Sequence, residues 1–200
     1  MIDTLDFDGA VQALARGAVV AVPTDTVYGL AASIAYPDAI NELFTLKQRP
    51  MSVATPLLVH SIAQIEDLGV DLDDRTRVLA KAYWPGALTI VLAAPAELSL
   101  LLHGTGGTVG FRIPDDELLG GLLESCGPLA VTSANSHGDV PCTTANEVRD
   151  VFAQREGLAG VLDGGERRGA VSTVLDLSAP AWQILREGAI SRESLSGYLD

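Results

Sequence analysis

Positive charge is scarce in this chain. Its 200 residues include 26 acids against 13 lysines and arginines, for a formal net charge of -13. A field of that sign repels polyanions, which argues against a broad hold on nucleic acid and confines any anion site to a local cluster. Lysine is scarcest: Lys47 and Lys81 are the whole complement, and the other eleven cations are arginines. Cysteine and histidine are also rare. Cys126 and Cys142 form no C-x-x-C pair, and His60, His103 and His137 have no metal-ligand spacing, so nothing calls for a structural zinc. The cysteines read as small apolar fillers, and His103 and His137 as loop residues. No apolar run reaches membrane-spanning length, and the opening MIDTLDFDGA carries acids where a signal peptide has a basic and then an apolar stretch. The expectation is a cytoplasmic protein without a membrane anchor. The sequence also lacks a G-x-x-x-x-G-K-[ST] phosphate loop, a G-x-G-x-x-G after a strand, a G-x-S-x-G elbow and an H-E-x-x-H helix, which removes the commonest nucleotide-binding and hydrolase readings.

What is present has the make-up of one globular domain spanning 1–200: 48% hydrophobic and 20% charged residues are enough to bury a core. FDGAVQALAR, 7–16, has helical spacing and stops at Gly17; AVVAVP, 18–23, reads as a buried strand followed by the loop TDTVYG. PDAINELFTLKQ, 37–48, predicts a helix that delivers Lys47 at its last turn. PLLVH predicts a strand. Ser61 with Gln64, and Thr144 with Glu147, are capping boxes opening helices. DLDDRTRVLAKAYW and the proline-started PDDELLGGLLESCG predict further helices; ALTIVLA, TVGFRI, PLAVTSA, GVLDGG, VSTVLDL and AWQILREG predict strands; SRESLSGYL predicts a closing helix. GTGGTVG, 104–110, reads as a turn into the strand at Val109, and Trp84 with Pro85 as core and turn. The alternation defines an α/β or closely interleaved α+β class, without repeats or a dividing linker.

Polar residues recur just past the strand ends: Thr24 and Asp25, Arg112, Ser133 and Asn135, Ser172 and Thr173, and Arg186. In open α/β sheets such positions border the ligand crevice, although a hydroxyl at a loop entry more often closes a turn. Taken together and in order, VPTDTVYGLAA, LKQRP before PLLV, WPGALTIVL, VGFRIP, LAVTSANSHG, and LDGG before STVLDL resemble the YrdC-like family of L-threonylcarbamoyladenylate synthases, from about Val22 to Arg186.

The resemblance implies a twisted mixed β-sheet flanked by helices around a large concave cavity. It implies a nucleotidyltransferase that takes ATP, L-threonine and bicarbonate or carbon dioxide, with Mg2+ carried on ATP, and releases pyrophosphate. The product serves threonylcarbamoyl modification of adenosine 37 in tRNA, through downstream transfer proteins. It also implies site residues. Lys47 and Arg49 of the K-x-R element, with Ser133 and Asn135 of S-x-N, are the catalytic set, with Lys47, Arg49 and Asn135 also touching ATP. Thr24, Arg112 and Ser133 fall at the L-threonine side, with His60 and with Ser172 or Thr173 of STVLD, while Thr108, Thr143 and Arg186 fall at the nucleotide side. No protein ligand to metal is implied. Aspartate stands at 25 where the family commonly has glutamate, MSVAT at 51–55 is longer than the usual spacer, and the chain matches the short, single-domain form.

These residue types suit that chemistry. A threonine carbamate must approach a triphosphate, and two such anions about 4 Å apart repel by several kcal/mol even at an effective dielectric of about 20, so fixed cations come first. Arginine offers a planar fork and lysine a compact charge, while Ser133 and Asn135 donate without adding charge. Two rival readings remain: an RNA-binding module of the same fold, which the net charge disfavours, and a paralogue handling another carbamoyl adenylate, like the related domain of hydrogenase maturation proteins.

Overall fold

The computed structural model describes residues 2–48, 54–104, 106–136 and 138–199. Its strands are β1 (Thr4–Leu5), β2 (Val19–Val22), β3 (Gly29–Ser33), β4 (Leu57–Leu58), β5 (Leu88–Ala93), β6 (Thr108–Arg112), β7 (Leu129–Ser133), β8 (Leu158–Leu162), β9 (Thr173–Asp176) and β10 (Gln183–Arg186). Its helices are α1 (Phe7–Leu14), α2 (Pro37–Lys47), α3 (Ile62–Asp67), α4 (Asp74–Tyr83), α5 (Ala96–Leu101), α6 (Glu117–Cys126), α7 (Ala145–Phe152) and α8 (Arg192–Leu199). The strands join one mixed sheet in the order β1-β8-β2-β3-β7-β4-β6-β5-β9-β10.

Side chains alternate across a strand, so each strand feeds two layers. In β2, Val19 and Ala21 enter the larger core while Val20 and Val22 enter the smaller; in β7, Ala130 goes to the larger, Leu129 and Val131 to the smaller. The larger core is closed by apolar residues of α2, α3, α4, α5, α7 and α8, among them Leu43, Phe44, Ile65, Leu79, Leu98, Phe152 and Leu195. Among the described residues the smaller is closed by α1 and α6 alone, through Ala10, Ala13, Leu14, Leu119, Leu122 and Leu123. These two helices cover the β8-β2-β3 side, and no described helix covers the face over β6, β5 and β9.

The bare face mixes polar and apolar side chains. Phe111, Ile90 and Leu175 point to the larger core, and between them Thr89, Thr108, Gly110, Arg112, Ser172 and Val174 line a cavity of about 520 Å³ on the other side. The site is therefore the uncovered half of one sheet face.

Several elements depart from the sequence expectation. β3 is a run of small apolar residues buried on both sides, without the alternation that marks a half-exposed strand. β1 and α5 are too short to impose a period. Pro114 does not open α6: Asp116 is in extended geometry and its carboxylate accepts from the N–H of Leu119, which places the start at Glu117. Trp84 is core, its indole N–H donating to the Leu88 carbonyl at 2.7 Å.

Candidate active site

The hollow begins where α2 ends. The backbone of Gln48 turns into the left-handed region (φ 52) and its N–H bonds the carbonyls of Phe44 and Thr45, which stops the helix with Lys47 as its last residue. Lys47 is 4% exposed. Its ammonium donates to the Ser133 carbonyl at 2.6 Å, to Ser133 Oγ at 3.0 Å and to Asn135 Oδ1 at 2.5 Å. Ser133 Oγ donates to Asn135 Oδ1 at 2.7 Å, and Asn135 Nδ2 donates to the Asp139 carbonyl at 2.6 Å. Ser133 closes β7 opposite Gly29, where a Cβ would lie 2.6 Å from Val131 Cγ1; glycine there lets β3 and β7 approach closely.

A second cationic group faces the same hollow. Arg112, last in β6, pairs with Asp25 at 2.6 Å, with only 7% and 11% of the two side chains exposed, and its Nε donates to the Gly86 carbonyl at 2.9 Å. Arg186, last in β10, donates through Nη2 to the Ser172 carbonyl at 2.7 Å and to Ser172 Oγ at 2.9 Å; Ser172 Oγ lies 3.0 Å from Thr89 Oγ1. Burial first, then the neighbouring Arg112 charge, lower the pKa of Arg186. Arg186 thus carries its charge at a cost in a partly desolvated hollow, an arrangement an anion would relieve. Strand register sets Arg112 level with Leu58, which is level with Leu129. Arg112 thus sits four residues along β7 from Ser133, or about 13 Å at strand rise.

The hollow gathers Thr24, Lys47, Thr108, Arg112, Ser133, Asn135, Ser172 and Arg186 from the sequence-derived set. Thr24 lines it while closing its own turn, with Oγ1 donating to the Val27 carbonyl at 2.7 Å and accepting from the N–H of Thr26 at 3.0 Å. Three others are not brought there. Thr173 has the opposite strand parity to Ser172; it is fully buried, and its hydroxyl is taken by the backbone of Ile190, at 2.7 Å to O and 2.9 Å from N. Thr143 is used at the start of α7, where its N–H and hydroxyl both donate to Glu147 Oε2 at 2.6 and 3.1 Å. Those bonds, the backbone one first, lower the pKa of Glu147. His60 is exposed, and its N–H caps back to Gln64 Oε1 at 2.8 Å. Arg49, His137 and residues 51–53 lie outside the described residues.

Sequence reasoning passed over two contributors, Thr89 and Tyr28. Thr89 interrupts an apolar strand at a hollow-facing position, a signal available from alternation alone. The Tyr28 ring is fully buried and lines the hollow, and its hydroxyl donates to the Gly165 carbonyl at 2.9 Å and accepts from the N–H of Gly164 at 3.1 Å. Burial raises its pKa. Asp25 stands among the polar residues past the strand ends, but its pairing with Arg112, which joins residues 87 apart in sequence, carries no local signal. Cys142 is buried and its thiol is pushed up to about 11, consistent with an inert filler. Among the described residues no three His, Cys, Asp or Glu side chains converge on a metal position, and no helix is long and apolar enough to cross a membrane.

A mixed sheet covered on one face, with cations and hydroxyls turned into a hollow on the other, defines an α/β protein with an anion-accepting pocket. The profile of the Sua5/YciO/YrdC family, described as "Telomere recombination", matches residues 12–188. The chain belongs to that family. It is 37% identical over 195 residues to the threonylcarbamoyl-AMP synthase of Bacillus subtilis, covering 95% of this chain and 55% of that protein. It is 36% identical over 191 residues to a putative threonylcarbamoyl-AMP synthase of Mycobacterium tuberculosis, covering 95% and 87%. Among solved structures it superposes on Sua5 of P. abyssi complexed with L-threonine with a TM-score of 0.89 at 33% identity, covering 96% of this chain and 57% of that one. The chain thus spans little more than half the length of two of these three relatives.

Proposed function

We propose that this chain, acting as one domain, is an L-threonylcarbamoyladenylate synthase. It joins ATP, L-threonine and bicarbonate or carbon dioxide, releases pyrophosphate, and supplies the adenylate to proteins that modify adenosine 37 of tRNA in the cytoplasm. The observation that carries this reading is the placement of Lys47, Ser133 and Asn135 on the wall of the hollow that also holds Arg112 and Arg186. Two separated cationic groups suit two anionic substrates that must meet between them.

In this reading Arg112 takes the threonine carboxylate and Arg186 the nucleotide, supported by their place on the wall of one hollow, with Thr24 and the Thr89–Ser172 hydroxyls offering partners to a small β-hydroxy side chain. The threonine amine attacks carbon dioxide, forming the N–C bond as one C–O π bond opens onto oxygen, and the amine proton passes to bicarbonate or water. A carbamate oxygen then attacks the α-phosphorus, and the bond from that phosphorus to the bridging oxygen breaks as pyrophosphate leaves. Lys47 moves one of its N–H bonds from protein oxygen to the phosphoryl oxygen on which charge builds, and Ser133 and Asn135 hold it in place. Magnesium enters as part of the MgATP substrate, held by phosphate oxygens.

The test is incubation with MgATP, bicarbonate and L-threonine, with mass detection of the adenylate and controls with serine or no amino acid. The expected result is an adenylate that requires threonine. Pyrophosphate release without a gain from threonine would overturn the reading in favour of another carbamoyl adenylate; salt-sensitive RNA binding without pyrophosphate would favour the RNA module.

A further inference from the structure

Lys47 meets three protein oxygens within 3.0 Å, and an ammonium has three N–H bonds. To contact a substrate phosphate it must release at least one of them. Those same bonds tie the end of α2 to the end of β7, so engaging substrate loosens the joint that positions the lysine. A second clasp spans that joint from outside the hollow. Arg155, in the turn after α7, donates through Nη1 to the Leu46 carbonyl and through Nη2 to Ser136 Oγ at 2.7 Å. Leu46 immediately precedes Lys47, and Ser136 immediately follows Asn135. The Arg155 guanidinium also lies over the Phe152 ring, 5.0 Å from its centroid, and the Arg155 backbone N–H donates to the Phe152 carbonyl at 2.9 Å, so the residue that carries the fork is anchored on a buried one. Arg155 does not line the hollow.

We propose that Arg155 is a positioning residue for Lys47, holding the α2 end against the Ser133–Asn135 segment while Lys47 exchanges protein oxygens for substrate. The chemistry fits the position. The Leu46 carbonyl belongs to the last turn of α2, where carbonyls lack intrahelical partners and the helix dipole favours a cation. A planar fork can hold two acceptors on different segments at once, whereas an ammonium cannot reproduce that geometry. This rests on the synthase reading for its catalytic consequence, but the mechanical joint stands apart from it.

The experiment compares wild type with Arg155→Met and Arg155→Lys below the unfolding transition. For Arg155→Met, kcat for threonine-dependent pyrophosphate release falls at least about tenfold while KM for ATP stays within about threefold. Millimolar guanidinium restores part of kcat, which relief of a merely destabilised fold would not do, and Arg155→Lys recovers little. In parallel, amide exchange at Gln48 and at 134–136 quickens about tenfold in Arg155→Met while amides of β5 and β6 keep their rates. Unchanged kcat, or exchange that rises evenly over the whole sheet, overturns the proposal. If wild type shows no threonine-dependent turnover, the synthase reading fails, and the local exchange difference alone decides whether Arg155 holds the joint.

Discussion

The N–H bonds of Lys47 are directed at oxygens of Ser133 and Asn135, and that cluster is 4–5% exposed at Lys47 and Asn135. Lys47→Met keeps the length of the chain and removes the charge. The phosphoryl oxygen then develops charge without its cation, and threonine-dependent pyrophosphate release is expected to fall by about 10²- to 10³-fold. The Ser133 and Asn135 oxygens lose a buried donor, so urea unfolding should register a loss of about 1–3 kcal/mol at unchanged m. At the other cationic group, Asp25→Asn removes the negative half of a pair whose members are 7% and 11% exposed. An arginine left uncompensated there costs about 3 kcal/mol, again read from urea unfolding. Because the guanidinium loses its fixed orientation, KM for threonine should rise more than kcat falls. The Lys47–Ser133–Asn135 cluster could be anticipated because motif order marked all three. The Asp25 pairing could not, since two segments remote in sequence must first be folded to reveal that an acid serves an arginine and not a turn.

At the scale of elements, short polar side chains fix where helices begin. Asp6, Ser61, Asp73, Asp116 and Thr144 each accept from an N–H in the first turn of the helix they precede. These signals are local, and the sequence announced the Ser61 and Thr144 boxes directly. The Thr144 box reaches one residue further back than the usual pattern, to Thr143, whose N–H and hydroxyl both donate to Glu147. What stayed illegible is the parity of strands around the hollow: Ser172 and Thr173 look equivalent in a string of letters, and only the register of β9 on β5 separates them. The cap at Asp73 gives a test with a definite sign. Bonds from Thr76, side chain first, hold its carboxyl below the ordinary aspartate value. A depressed folded pKa means the stabilisation is complete above the unfolded value and is lost as pH falls through the folded one. Asp73→Ala should therefore cost about 1 kcal/mol at neutral pH, and the gap from wild type should close in acid, as measured by thermal unfolding across that range.

For the whole molecule, the arrangement is a division of one sheet between stability and function. Among the described residues six helices seal one face and two seal part of the other, and over the remainder Thr89, Thr108, Arg112 and Ser172 stand with Val91, Val131 and Val174 in an open wall. The fold class was legible from alternation of elements, but which face would be open was not, because that depends on strand order in a sheet whose neighbours are mostly distant in sequence. The hollow gathers Lys47, Arg112 and Arg186 in a molecule of net charge -13, and so offers anions a local positive site in an otherwise negative field. Substrates should then stabilise the native state, and should do so together. At about 100 times its Kd a ligand adds about 2.7 kcal/mol, and for a chain of this size each kcal/mol moves Tm by about 2–4 °C, which gives about 5–11 °C for a non-hydrolysable ATP analogue. Threonine with bicarbonate should add a further rise that serine does not match. In Lys47→Met the analogue's shift should shrink while threonine's persists, because in the proposed reading Arg112, and not the lysine, takes the threonine carboxylate; loss of both shifts together would mean that the two groups act as one site.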